Sequence, residues 1–183
     1  LNKLGIDIRN SRIAIQGFGN VGSNTAKHLE RMGGNILSIS EYDNEKGVYT
    51  IYNEKGFDIS KLISHFEKHK TLINFEGARL ISIDQFYSLD VDVIIPCALE
   101  NSITEEEANK IRAKLIVEGA NGPVDYLADR ILKQKNVVVI PDILANSGGV
   151  IASYFEWVQN ISGIDMTEDD VLNKVEYKML LAY

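Results

Sequence analysis

The chain carries a single cysteine, Cys97, so it has no internal disulfide and must be held by packing. That fits a reducing compartment, and the expected location is cytoplasmic. Three histidines and one thiol leave no metal-ligand spacing; His65 and His69, four residues apart on a polar helix, read as a solvated face. Nowhere do about 18 apolar residues run uninterrupted, so nothing is expected to span a membrane. Residues 1–9 lack the apolar core of a signal peptide. Basic runs are missing too. With 19 basic against 26 acidic residues, the formal net charge is −7, which argues against nucleic acid as a partner. There is no internal repeat, low-complexity segment or dividing linker. No Ser/His/Asp set, close carboxylate pair or lysine in a glycine-rich pocket is visible. The chain starts at Leu1 rather than methionine, which suggests an excised or processed chain.

What is present is an alternation of strands and helices. At 183 residues, 45% of them hydrophobic, the chain can bury one good core, and 1–183 reads as one domain. Strands are expected at about 12–16, 35–40, 79–82, 92–95, 114–118 and 136–140. Helices are expected at about 20–32, 59–69, 104–110, 124–134, 142–160 and 167–182. Residues 48–52 suggest a short excursion or hairpin within a polar stretch. Runs such as 91–95 and 137–140 barely alternate, as suits strands buried on both faces. The expected fold is therefore α/β, a doubly wound, mostly parallel sheet with helices on both faces. Thr104 and Thr167 read as helix caps, each followed by acids in the first turn.

The most informative segment is the apolar strand 12–16 running into Gly17, Phe18, Gly19, Asn20, Val21 and Gly22, a G-x-G-x-x-G turn. Such a turn is built to hold a pyrophosphate. Gly17 permits the sharp exit from the strand, Gly19 has no Cβ to block a phosphate, and Gly22 lets the next helix pack closely. The helix N-terminus then offers free N–H groups and the positive end of its dipole. Glu41, at the end of the second expected strand and 19 positions after Gly22, is placed to accept from an adenosine ribose. A carboxylate there also repels a 2′-phosphate, favouring NAD over NADP.

Three further segments follow expected strand ends: 96–101 with Cys97 and Ala98, 118–123 with Asn121, and 141–149 with Asn146. Small residues there let a ligand approach the backbone, and each asparagine offers donors and an acceptor. As isolated segments they read equally well as turns with capping asparagines. The aromatic run 154–157 reads as core packing. Cys97, with no histidine pattern near it, reads as a small buried filler rather than a nucleophile. Every group found binds; none catalyses.

Residues 16–22, 118–123, 141–150 and 153–157, in this order and spacing, resemble the coenzyme-binding domain of the glutamate dehydrogenases, within the Glu/Leu/Phe/Val dehydrogenase superfamily. The resemblance covers essentially the whole chain. It implies a Rossmann-like domain, commonly with one reversed strand, that presents NAD(P) to a separate substrate domain. Carried over by position, Gly17, Phe18, Gly19, Asn20 and Val21 would line the pyrophosphate and Glu41 would meet the adenosine ribose. Cys97 and Ala98 would lie along the cofactor, with Asn121 and Asn146 at its nicotinamide end. Val150 and Ser153 would face the glutamate side chain, Ser153 donating to its γ-carboxylate. The parent enzyme so implied deaminates L-glutamate oxidatively to 2-oxoglutarate and ammonia and assembles as a homo-oligomer, a hexamer. Its catalytic lysine and aspartate belong to a substrate domain that this sequence does not contain, so the chain alone is expected to bind cofactor without turnover. Cys97 and Ser147 stand where the family often has alanine, and the loop 42–47 is longer than the family pattern. Two rivals remain: a stand-alone NAD-binding or regulatory module, and the cofactor domain of a branched-chain amino-acid dehydrogenase.

Overall fold

The computed structural model describes residues 5–183; residues 1–4, on which part of the signal-peptide reading falls, lie outside it. The described residues form a seven-stranded sheet in the order β4-β3-β2-β1-β5-β6-β7. Its strands are β1 (Arg12–Gln16), β2 (Asn35–Asp43), β3 (Gly47–Tyr52), β4 (Arg79–Ile81), β5 (Val93–Pro96), β6 (Leu115–Val117) and β7 (Val138–Ile140). β1 runs parallel to β2 and β5, and β5, β6 and β7 continue parallel. β3 is antiparallel to both its neighbours. It is the one reversed strand.

Alternate side chains of β1, β5 and β6 enter different cores, which is why these central segments are apolar; β7, expected to be buried on both faces, is an edge strand with Val138 exposed, because nothing pairs beyond it. On one face Ile13, Ile15, Ile36, Ile39 and Leu115 pack under α1 (Asn20–Arg31) and α2 (Ile59–His69). On the other, Ala14, Leu37, Ile94 and Ile116 pack under α3 (Ile83–Tyr87), α4 (Glu105–Lys110) and α5 (Tyr126–Gln134). Thr104 and Thr167 both form capping boxes, with Glu107 and Asp170 respectively. The chain closes with α6 (Asp142–Ala145), α7 (Gly148–Ser162) and α8 (Glu168–Ala182).

Several expectations need correction. Of the two readings of residues 48–52, the hairpin holds: they are the core of β3, paired antiparallel with β2 as a full member of the sheet. The Asp43 carboxylate closes the hairpin by accepting from the N–H groups of Glu45 and Lys46, and Gly47 turns the chain with φ +73°. Glu41 consequently does not end β2; the strand runs on to Asp43, and Glu41 pairs with Tyr49. The helix expected over 142–160 is two helices. Its break falls at Asn146 and Ser147, where the Ser147 hydroxyl turns back to the Leu144 carbonyl at 2.9 Å and the Asn146 side chain bonds elsewhere. Short α3 was not expected at all, because five residues give too little periodicity to read. The aromatic run 154–157 is not core. Tyr154 is 54% and Trp157 56% exposed, and α7 and α8 pack chiefly on each other with no buried residue in either.

Candidate functional site

The connection from β1 crosses to β2 on one side of the sheet, while β5 lies on the other side of β1. A doubly wound sheet binds ligands where its strand order reverses in this way, beyond the carboxyl ends of the strands. The glycine turn stands there. Gly17 leaves β1 with φ +93°, a conformation that costs other residues strain, and its N–H donates to the Ser40 carbonyl at 2.6 Å. A Cβ on Gly22 would lie 1.9 Å from the Gly17 carbonyl oxygen, so α1 rests directly on the turn. Around Gly19 the space is different: a Cβ there would meet nothing within 4 Å. Packing accounts for glycine at position 22 and leaves it unexplained at 19, where a cradle opens onto the start of α1. The N-terminus of that helix has no side-chain cap and no acid in its first turn, so its N–H groups face outward without a built-in anion.

Phe18 contributes to this turn by backbone alone. Its ring is buried, edge-on to Phe66, and its N–H donates to the Glu41 carboxylate. The other Glu41 oxygen accepts from the Tyr42 N–H at 2.8 Å. Glu41 thus braces the turn and holds its carboxylate in one orientation, and each oxygen keeps a second lone pair. Asn20 and Val21 are exposed at the start of α1.

Beside the turn lies a cleft of about 740 Å³. Its walls bring together Val21, Cys97, Ala98, Asn121, Asn146, Val150 and Ser153, together with Leu99, Glu100, Gly119, Ala120 and Gly149, which the motif reading had not named singly. They come from the first turn of α1, the loops after β5 and β6, the break between α6 and α7, and the first turns of α7, so segments up to 132 residues apart meet in one place. The Asn146 side-chain amide donates to the Asn121 side-chain oxygen at 2.6 Å. Ser153 is exposed. Ser23, Ser64 and Ser162 turn their hydroxyls back to the carbonyl four residues earlier; among the described residues Ser153 makes no such bond. Its hydroxyl is free for a ligand.

Burial pushes the Cys97 thiol up to about 11, with a hydrogen bond to Thr25 opposing the shift. Cys97 therefore stays protonated at neutral pH and fills space against Gly119, where a Cβ would approach its sulfur to 2.7 Å. We expect iodoacetamide at pH 8 to alkylate Cys97 about a hundredfold more slowly than a free cysteine, since only the thiolate reacts. Mass spectrometry over a time course checks this; labelling at the free-cysteine rate would show an activated thiol.

Two acids of the strand-end segments 118–123 and 141–149 had no role assigned from the sequence. Glu118, just past β6, is 6% exposed, and Asp142 opens α6 after Pro141. The sequence does carry a faint signal, an acid closing an apolar strand run and a Pro-Asp pair at a helix start. Among the described residues no group of three or more His, Cys, Asp or Glu side chains is placed to hold a metal ion. None of their helices is long and apolar enough to cross a membrane.

A family model described as Glutamate/Leucine/Phenylalanine/Valine dehydrogenase matches residues 1–183. The chain is 47% identical to the NAD-specific glutamate dehydrogenase of Clostridioides difficile over 99% of its own length and 43% of the relative's. The crystal structure of a glutamate dehydrogenase from Peptoniphilus asaccharolyticus superposes with a TM-score of 0.82 at 42% identity, over 99% of this chain and 40% of that one. A hetero-hexameric glutamate dehydrogenase from Thermus thermophilus superposes with a TM-score of 0.87 at 27% identity, over 98% and 41%. The chain thus spans about two-fifths of the length of the relatives it matches.

Proposed function

The chain belongs to the glutamate/leucine/phenylalanine/valine dehydrogenase family, and from that premise we propose that it is the dinucleotide-binding domain of a glutamate dehydrogenase. In the whole enzyme it holds NAD, with NADP as the second candidate, for the oxidative deamination of L-glutamate to 2-oxoglutarate and ammonia. The observation that carries this reading is the cleft in which Asn121, Asn146, Val150 and Ser153 converge next to the open cradle at Gly19. A dinucleotide is a long ligand whose middle is anionic and whose reacting end is an amide-bearing ring, and the two halves of this site match those two chemistries in order.

When bound, the nicotinamide supplies the hydride acceptor. The protein's own residues bind and orient. The N–H groups at the start of α1, reached over Gly19, receive the pyrophosphate. Glu41 accepts from the adenosine ribose, Cys97 and Ala98 lie along the cofactor, and the paired asparagines bind at the nicotinamide end. Val150 offers apolar surface to the glutamate methylenes and Ser153 a hydroxyl to its γ-carboxylate. The lysine and aspartate that act on the α-amine in such enzymes are assigned to a separate substrate domain. The whole enzyme is a homo-oligomer, a hexamer, in the cytoplasm.

Binding tests the cofactor reading. This chain by itself should take up NAD with a dissociation constant of roughly 0.1–1 mM, because one lobe of a cleft leaves the nicotinamide end open to water. Calorimetry that finds no binding at several millimolar would refute it. Glu41 separates the two cofactors. Glu41→Ala should lose about 1–3 kcal/mol of NAD binding and distinctly less for NADP, whose 2′-phosphate the carboxylate repels. Equal losses for both would leave Glu41 as a brace for the Phe18 N–H alone.

A further inference from the structure

Glu118 is the one buried charged side chain among the described residues. A carboxylate is taken out of water at a cost unless hydrogen-bond donors meet it, and here they do. Glu118 Oε2 accepts from the Asp142 N–H at 2.8 Å, and the backbone amide of Val124 also favours its ionised form. Burial, and secondarily the nearby charge of Asp142, push its pKa upward. A neutral side chain in that space would avoid both penalties, so the reason for an acid lies in what it holds.

What it holds is Asp142, and Asp142 in turn holds the loop of Asn121. Its Oδ2 accepts from the N–H of Gly122, the residue after Asn121, at 2.8 Å. Its backbone carbonyl accepts from the N–H of Asn146 at 2.9 Å, the closing helical bond of α6 that any residue at this position would make, so the side chain's own hold is on the Asn121 loop. Its Oδ1 accepts from the Ile143 N–H at 2.6 Å, which sets the side-chain rotamer. Gly122 is in the left-handed region, φ +52°, and its carbonyl accepts from Asn101 N–H, tying in the loop after β5. The two asparagines come from the loops after the neighbouring strands β6 and β7, which the sheet brings side by side up to Val117 and Ile140. Their 2.6 Å side-chain contact depends on the spacing between those loops.

We propose that Glu118 and Asp142 are positioning residues for the cofactor: a relay of two carboxylates onto backbone amides that sets Asn121 and Asn146 at the separation needed to grip the nicotinamide end. Neither acid lines the cleft, so both act through the asparagines. The inference rests on the cofactor reading above and adds to it a device that none of the binding residues contains. Charge-assisted bonds to backbone amides suit this role, because they are stronger than neutral ones and place main chain rather than a mobile side chain.

The experiment uses the full chain and two probes, NAD and ADP; ADP carries the adenosine and pyrophosphate without the nicotinamide half. Glu118→Gln puts an amide NH₂ against backbone donors. Asp142→Ala removes the acceptor for Gly122 at a partly exposed position, which gives a second variant should Glu118→Gln fail to fold. Each should weaken NAD about five- to tenfold and leave ADP within twofold of the unaltered chain. In the ligand-free chain, the side-chain amide resonances of Asn121 and Asn146 should shift toward free-amide values in Glu118→Gln and Asp142→Ala, while amides of the sheet core stay in place. A parallel loss of NAD and ADP, or asparagine resonances unmoved in both variants, would overturn the proposal. Failure of the unaltered chain to bind either probe would instead strike the cofactor reading, and the asparagine resonances would still decide the relay.

Discussion

Gly22→Ala is expected to destabilise the chain by about 3 kcal/mol, lowering its melting temperature by roughly 6–12 °C. Helix propensity points the other way, since alanine gains about 1 kcal/mol over glycine inside a helix. The overlap decides the sign: the added Cβ would sit 1.9 Å from the Gly17 carbonyl oxygen and 2.8 Å from its carbon. That carbonyl is backbone on a turn pinned by the Gly17 N–H to Ser40 and by the Phe18 N–H to Glu41, so it cannot swing aside like a side chain. Gly19→Ala should cost less stability and more binding. With nothing within 4 Å of its Cβ it should cost about 1 kcal/mol, the difference between a glycine and an alanine N-cap, yet weaken NAD more than tenfold by filling the phosphate cradle. Thermal unfolding and calorimetry on both variants check the pair. A Gly22→Ala chain as stable as its parent would mean that α1 can lift off the turn. A Gly19→Ala chain that binds NAD normally would remove the pyrophosphate from this end of the helix.

The chain by itself should show no glutamate-dependent reduction of NAD above background, even with cofactor bound. Deamination requires a base or activating group at the α-amine and charges for two carboxylates. The cleft offers two titratable side chains, Cys97 and Glu100; the first is a thiol held protonated by burial, and the second repels a dicarboxylate. In the whole enzyme, Ser153→Ala should raise the KM for glutamate and lower kcat/KM about ten- to a hundredfold. A hydrogen bond to a charged group is worth about 1.5–3 kcal/mol, and the Ser153 hydroxyl is not spent on its own helix. Steady-state kinetics with glutamate check both statements. Turnover by the chain alone would sink the division of labour between domains, and an unchanged glutamate KM and kcat/KM would make Ser153 an ordinary helix serine.

Much of this was legible in the order of residues. The strand 12–16, the glycine turn and α1 are set by local rules: apolar runs make strands buried on both faces, and a left-handed Gly17 and close-packed Gly22 are needed wherever a helix leaves a strand this tightly. Capping at Thr104 and Thr167 is equally local. One cleft is lined by Cys97, Asn121, Asn146 and Ser153; the segments holding the first three were legible as strand-end loops, and Ser153 was named only through the family resemblance. Tertiary structure alone decided the rest, and in each case a partner distant in sequence did the deciding. The hairpin with β3 carried β2 past Glu41. The bond to Asn121 drew the Asn146 side chain away at the break between α6 and α7. Tyr154 and Trp157 stayed exposed because α7 packs chiefly on α8 rather than on the sheet. Glu118 and Asp142 read as two unrelated acids until the ends of β6 and β7 were side by side, since a hydrogen bond across 24 residues leaves no period or spacing in a sequence.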